Sequence, residues 1–490
     1  MIDSYFFKYR LQVFFVLLFL CSSFCSLASK HSDRLSAPAI AGKIYDISFY
    51  SSSDSIAEPT YLFKGKSNLF YATLPMTLAT SDLKIKVICS NNATVKINGL
   101  DAVLSSSFYD DQMVSVATAD VNINKTIHIE VISSIGIHSE YDLLAQKGIG
   151  QLDSVIYDFK EKYNIPGVSF AIANLDSLRT SYSAGYGYAI KESKERVTPS
   201  HLFRLASMSK QHTAIAILKL IEEGKFGIDD TVFGEKGILK DVFPIVPAKA
   251  QRITVRHLLE HTSGYRTYPD YMFDNPYKGW PMEQRIRAML RSNLPNEPGS
   301  VFAYYNTGYG VLGYIVEKVS GKSYEQYLKD LYGSVGVDDI HVGGVQSERR
   351  PNEVAYYGQN RANADGLDMT VRASAGGLIT STEQLIKLLW RLDGNDSIPD
   401  IINNDTRQMM FTPSKVGKSR YALGWRANHD YFPDSFYHGG TLAGVATLWV
   451  YSEGYVVIIL CNSRSPIRQF DNDLYRIARD MIYEASFMEL

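Results

Sequence analysis

The sequence predicts a multidomain chain: an N-terminal all-β sandwich followed by a larger α/β (α+β) domain whose mostly antiparallel sheet is flanked by helices. Three observations carry that expectation. Apolar and polar residues alternate in short runs between Lys43 and Asp142. The pattern switches to a helical period of about 3.6 residues at Leu152, and strand-like runs recur near both ends of the region that follows.

The chain has 490 residues, enough for more than one core, and its 50 basic and 52 acidic side chains nearly cancel. The absence of a basic run argues against nucleic acid as a partner. Lys8 and Arg10 precede the apolar run Leu11–Leu20 and the small residues Ser26 and Ala28, the layout of an export signal too short for a comfortable membrane span. Residues 1–28 are therefore expected to be a signal peptide cut after Ala28. The mature protein is expected to be periplasmic or extracellular, meeting a membrane only through that segment; an uncleaved anchor is the alternative. Lipidation at Cys21 or Cys25 is disfavoured, because Leu20 and Phe24 stand where a small residue is needed. Cys89 and Cys461 lie far apart in β-patterned runs and read as buried thiols, not as a disulfide framework.

The first module is expected over residues 43–146. Leu83–Ile88 alternates as a half-buried strand does, Thr94–Asn98 runs into an Asn98-Gly99 turn, and Thr126–Val131 forms a third strand. The run from Ala93 to Leu143 resembles the cadherin-like β-sandwich modules of secreted bacterial proteins, which implies a spacer or docking role and a possible cell-envelope partner. The second domain is expected over residues 151–490, after the junction at Lys147 to Gly150. Leu152, Val155, Ile156 and Phe159 make one helical stripe, stopped by Ile165-Pro166-Gly167. Strands follow at Val168–Ala173 and Arg179–Tyr188. Helices are expected from Lys210 to Gly224, from the Ser381-Thr382-Glu383-Gln384 cap to Leu392, and over Asn472–Ala485, with strands at Tyr421–Trp425, Thr447–Tyr451 and Tyr455–Cys461.

Ser207-Met208-Ser209-Lys210 opens a predicted helix, so Lys210 shares a face with the Ser207 hydroxyl, and a desolvated lysine there can take its proton. Tyr304 and Asn306 follow Pro298-Gly299 on an expected turn and can face one cleft; alternatively, Asn306 caps the helix beginning at Thr307. His438-Gly439-Gly440-Thr441 can bring backbone close to a substrate and free an N–H for an oxyanion, or be an ordinary loop. Gly308–Gly313 spells a dinucleotide fingerprint but follows no strand, and reads as a helix with small packing residues. His257-Leu258-Leu259-Glu260-His261 spells an inverted zinc-protease motif on a segment too short to hold it. Both histidines are expected to pack and hydrogen-bond beneath the site, with no metal.

Ser-x-x-Lys, Tyr-x-Asn and His-x-Gly in this order resemble the serine β-lactamase and penicillin-binding-protein superfamily, in its class C-like branch. The runs "IPGVSFAIAN", "FRLASMSKQHTA", "ITVRHLLEHTSGY", "PGSVFAYYNTGYGVLG" and "HGGTLAG" are similar to that branch, and the resemblance covers residues 152 to 485. It implies a β-lactamase/transpeptidase-like fold, Ser207 as nucleophile, and Lys210 with Tyr304 sharing base duty. It further implies that Asn306 holds a substrate amide, that His438, Gly439 and Gly440 line the substrate wall, and that the amides of Ser207 and Thr441 form the oxyanion hole. No cofactor is implied. His438 stands where dedicated β-lactamases usually carry lysine, which gives a pH-dependent anchor for a substrate carboxylate and favours the branch's peptidases, amidases and esterases. The aromatic segment Tyr265–Trp280 is expected to overhang the cleft. The resulting expectation is an exported serine hydrolase acting on a D-amino-acid peptide or small ester. The alternatives are a class C-type β-lactamase and an inactive binder of cell-wall peptide.

Overall fold

A computed structural model describes residues 43–488 apart from 52–60, 67, 75, 77–81, 176–179, 361–363, 365, 395–397 and 418–419. The N-terminal segment with its expected cleavage point, Cys21 and Cys25 lie outside the described residues, as does Arg179 at the expected start of the second strand of the larger domain. Among the described residues, no helix is long and apolar enough to cross a membrane. The described residues fall into two compact units, the first within Met1–Thr60, Leu78–Asn122 and Ile127–Leu143, the second within Tyr61–Thr77, Ile123–Thr126 and Leu144–Leu490.

The first unit is built of antiparallel strands. Ile44–Ser51, Leu83–Ser90, Gln112–Asp120 and Val103–Tyr109 form one sheet in that spatial order, and Thr94–Ile97 pairs with Ile127–Ile132 in another. Alternation turns Ile85, Val87 and Cys89 inward. Asn98 and Gly99 both take positive φ, at 54° and 81°, the conformation that a tight hairpin turn demands.

The second unit centres on a seven-stranded antiparallel sheet. Its strands, in chain order, are β1 (Gly167–Asn174), β2 (Ser181–Ile190), β3 (Glu195–Arg196), β4 (Arg426–His429), β5 (Phe432–Leu442), β6 (Val445–Ser452) and β7 (Tyr455–Cys461). Their spatial order is β3-β2-β1-β7-β6-β5-β4, so the two ends of the domain meet where β1 pairs with β7. β7 is buried along its whole length and β1 up to its last residue, which suits their continuous apolar runs. One face packs against α1 (Gly150–Tyr163) and the C-terminal helix Phe470–Phe487 through Leu152, Ile156, Phe159, Leu474 and Ile477. The other carries a helical body that includes α2 (Ser209–Glu222) and α3 (Asn306–Ser320). α1 ends one turn before Pro166, because Asn164 adopts the left-handed conformation and its N–H returns to the helix. The helix capped by Ser381 ends at Leu389, and the run Tyr421–Trp425 forms only a bridge from Tyr421 to Arg426, the strand starting one residue later.

Candidate active site

Residues 203–210 reach the site along a path fixed on both sides. Phe203 and Arg204 pair with Thr380 and Ile379, the Leu205 N–H donates to Leu378 O at 2.8 Å, and the Leu378 N–H donates to Ser209 Oγ at 3.1 Å. On the other side, Thr447 Oγ1 of β6 donates to Leu205 O at 2.8 Å. Held this way, Ala206 takes a φ of 49°, a left-handed conformation that costs an ordinary residue about 1–2 kcal/mol. Ser207 lies in the 3-10 turn Ala206–Met208, immediately before α2. The expected single helix is thus a tight turn followed by a helix, and the i to i+3 alignment survives because side chains three apart nearly eclipse in a 3-10 turn.

Lys210 is fully buried, with its ammonium 3.3 Å from Ser207 Oγ and a second hydrogen bond to Ala375 O. Burial lowers its pKa from 10.5 to about 7; Asp270 opposes that shift and Arg426 adds to it. The Tyr304 ring lies 4.9 Å from the Lys210 ammonium. Desolvation pushes the phenol up to about 12, against the pull of Ser207 and Arg426. This runs against the expectation that Tyr304 shares base duty with Lys210. Lys210 and Tyr304 are driven in opposite directions, and only the lysine comes within reach of neutral pH.

Asn306 is the first residue of α3 and does not cap it: the helix has no side-chain cap, and Asn306 Nδ2 donates instead to Asp270 Oδ2 at 2.7 Å. Its Oδ1 is buried without a partner among the described residues. Gly310 and Gly313 on this helix do serve close packing, against Met272 and Ser374 respectively.

The His438-Gly439-Gly440-Thr441 segment lies inside β5, not in an ordinary loop. Past Tyr437 the outer edge of β5 has no strand partner among the described residues, which leaves amides on that side, near the exposed Thr441, available to a substrate. Gly440 faces Leu205 O, Ala206 and Thr447 so closely that a side chain there would overlap them, and Gly439 faces Tyr475. His438 is only 1 % exposed, and burial beside Arg426 and Lys210 holds it well below 6.5. The neutral ring donates Nδ1–H to Gly439 O at 2.7 Å and accepts the Tyr421 hydroxyl at Nε2, 3.0 Å away. The expectation of a pH-dependent cationic anchor at His438 is corrected accordingly, because both ring nitrogens are engaged and the imidazole is uncharged.

Arg426 supplies a cation at this wall, its guanidinium 5.3 Å over the Tyr304 ring. With Phe302, Tyr421 and Tyr437 it lines a cavity of about 590 Å³, and Arg420 lines the same cavity. Sequence reasoning missed both Arg426 and Asp270, and neither belongs to a motif whose spacing marks it. The segment Tyr265–Trp280 does not simply overhang: Tyr265, Tyr271 and Met272 are buried, and Arg285 donates to the carbonyls of Tyr271, Tyr277 and Trp280. Its contribution to the site is Asp270.

His257 and His261 do not share a helix face. Helix Val255–Leu259 ends first, and His261 lies beyond it at a φ of 58°. His257 completes a capping box with Thr254, while His261 accepts the Tyr305 N–H at 3.0 Å and stacks 4.3 Å from the Tyr304 ring.

Compared with protein families, residues 152–480 match the model of the family described as Beta-lactamase. The chain belongs to the beta-lactamase family. Protein flp of Staphylococcus aureus (strain MRSA252) is 24 % identical over 333 residues, which are 64 % of this chain and 63 % of that protein. The chain thus spans less than two thirds of the length of that relative. Penicillin-binding protein 4* of Bacillus subtilis (strain 168) is 25 % identical over 357 residues, 68 % of this chain and 75 % of its own. Among solved structures, the octameric penicillin-binding protein homologue of Pyrococcus abyssi superposes with a TM-score of 0.55 at 26 % identity, covering 69 % of this chain and 77 % of that one.

Proposed function

We propose that the protein is an exported serine hydrolase that cleaves an amide or ester of a carboxylate-bearing substrate, such as a D-amino-acid peptide or a small ester, through an acyl-enzyme on Ser207. The observation that carries this reading is the buried Lys210 ammonium, 3.3 Å from Ser207 Oγ and brought to a pKa of about 7. In its neutral form Lys210 accepts the Ser207 proton as Oγ attacks the carbonyl carbon, and the tetrahedral oxyanion is received by the amides of Ser207 and Thr441. The Tyr304 phenol, still protonated because its pKa is near 12, passes its proton to the leaving group and is reprotonated from Lys210. Water then attacks the ester carbonyl, and the proton it loses returns to Ser207 as the acid leaves. Arg426 offers the substrate carboxylate a guanidinium that the neutral His438 cannot replace. The penicillin-binding proteins among the relatives favour a peptide-like substrate, and the signal-like N-terminus supports export.

The test is labelling of the purified protein with a fluorophosphonate and a labelled penicillin, with Ser207→Ala as control. Labelling that depends on Ser207 supports the hydrolase reading, and no labelling of wild type by either probe rejects it. A long-lived penicilloyl adduct favours peptidase action, whereas rapid release favours the β-lactamase alternative. A panel of D-alanyl peptides and short-chain esters then identifies the acyl group.

A further inference from the structure

Asp270 is a buried carboxylate, 5 % exposed, without an ion pair to any cation among the described residues. Burying a charge is costly unless hydrogen bonds compensate, and here three donors reach the carboxylate. Its Oδ2 accepts the Asn306 Nδ2–H at 2.7 Å. Its Oδ1 accepts the Met272 N–H at 3.0 Å and the Thr307 hydroxyl at 3.4 Å, and its own N–H donates to Asp274 Oδ2 at 2.8 Å. The Thr307 hydroxyl in turn accepts the Tyr271 N–H at 3.1 Å, so its proton is directed at Asp270.

The contact with Asn306 has a definite polarity. A carboxylate accepts only, so it forces the amide to present Nδ2 to it and turns Oδ1 the other way, where Oδ1 is buried with no partner among the described residues. The same carboxylate is the leading negative charge acting on Lys210, opposed by the positive charge of Arg426. Asp270 touches neither Ser207 nor the Lys210 ammonium by any hydrogen bond among the described residues, so whatever it does there it does through Asn306 and through its field.

We propose that Asp270 is a positioning residue for acyl transfer at Ser207: it locks the orientation of the Asn306 amide and sets the electrostatic balance at Lys210 against Arg426. This inference rests on the hydrolase reading above and adds to it a residue outside the three motifs. Replacing the carboxylate by an amide keeps its shape but lets Asn306 adopt either orientation, and it removes the negative charge near Lys210. Without that charge the lysine loses its proton at lower pH.

The experiment compares wild type, Asp270→Asn, Asn306→Ala and the double variant in hydrolysis of a p-nitrophenyl acyl ester across pH, with Ser207-dependent fluorophosphonate labelling measured in parallel. Asp270→Asn is expected to lower kcat roughly 10–100-fold with a smaller change in KM, and to move the acidic limb of the kcat/KM profile to lower pH. On the alkaline plateau of the profile, where Lys210 is neutral in every variant, the double variant is expected to lose no more than Asn306→Ala alone, because there Asp270 acts only through Asn306. An unmoved acidic limb, or losses that multiply, would overturn the proposal. Should Asp270→Asn not fold, Asp270→Ser answers the same limb question. Absence of labelling in wild type counts against the hydrolase reading and removes this proposal with it, whereas labelled wild type with an unmoved limb in the variant rejects this proposal alone.

Discussion

Thr447 Oγ1 donates to the Leu205 carbonyl at 2.8 Å, and this single bond ties the turn that carries Ser207 to the sheet. Gly440 lies opposite Thr447 in the β5–β6 register and permits the approach, because any Cβ there would meet Thr447 Oγ1, Leu205 O and Ala206 together. Gly440→Ala is therefore expected to push the nucleophile turn outward. Misplacement on the order of 1 Å costs about 10²-fold in rate, and overpacking costs about 1–3 kcal/mol. Ester hydrolysis and thermal unfolding of the variant check both, and normal activity with normal stability would refute the close approach.

Lys210 links activity to pH and to stability. Its folded-state pKa of about 7 lies below the ordinary 10.5, so between these values the unfolded chain holds a proton that the folded chain has lost. The sign follows directly: stability from this site rises as pH climbs from about 7 towards 10.5, and below 7 the full cost of burying the ammonium is present. Lys210→Met should abolish hydrolysis yet raise the melting temperature, and the gain should be larger at about pH 6 than at about pH 10. Equal gains at the two pH values would contradict the assignment.

Arg426 should act on the same limb in the opposite sense to Asp270. Its positive charge lowers the pKa of both Lys210 and Tyr304, so Arg426→Gln is expected to move the acidic limb of kcat/KM to higher pH. If Arg426 also receives the substrate carboxylate, activity on D-alanyl peptides should fall roughly 10–100-fold more than activity on neutral esters. Equal losses on the two substrate types would remove it from carboxylate recognition.

Arg285 supports the site from beneath. Its guanidinium is buried and donates to three carbonyls, those of Tyr271, Tyr277 and Trp280, on the segment that carries Asp270. Arg285→Ala leaves these acceptors unpaired and is expected to destabilise the protein by about 3 kcal/mol or more, with a parallel loss of activity. Denaturant unfolding gives the first quantity. A stable variant with intact hydrolysis would mean that the segment holds its shape without the clasp.

Local chemistry made several elements legible. The strands β1 and β7 are continuous apolar runs, and the Asn98-Gly99 turn has the residues its positive φ values require. The Ser381 cap is equally local, since its side chain accepts the Gln384 N–H. The strand β5 was hidden for an equally physical reason: Pro433, Asp434, Gly439 and Gly440 all weaken strand propensity, and the strand exists because β6 pairs along it. In the site, Ser207 and Lys210 are neighbours in sequence and their contact could be read from spacing. Asp270 and Asn306 are 36 residues apart, and no periodicity relates a loop aspartate to the start of a helix.

By itself the sequence determined the order of elements, the candidate groups Ser207, Lys210, Tyr304 and Asn306, and the family to which their order belongs. Only the tertiary structure decided their charge states and their partners. Burial and the opposed charges of Asp270 and Arg426 bring Lys210 near neutrality and keep Tyr304 a phenol, while burial beside Arg426 and Lys210 leaves His438 uncharged. The physical reason is that desolvation and Coulombic fields depend on which distant segments pack together, a property that no local pattern of residues encodes.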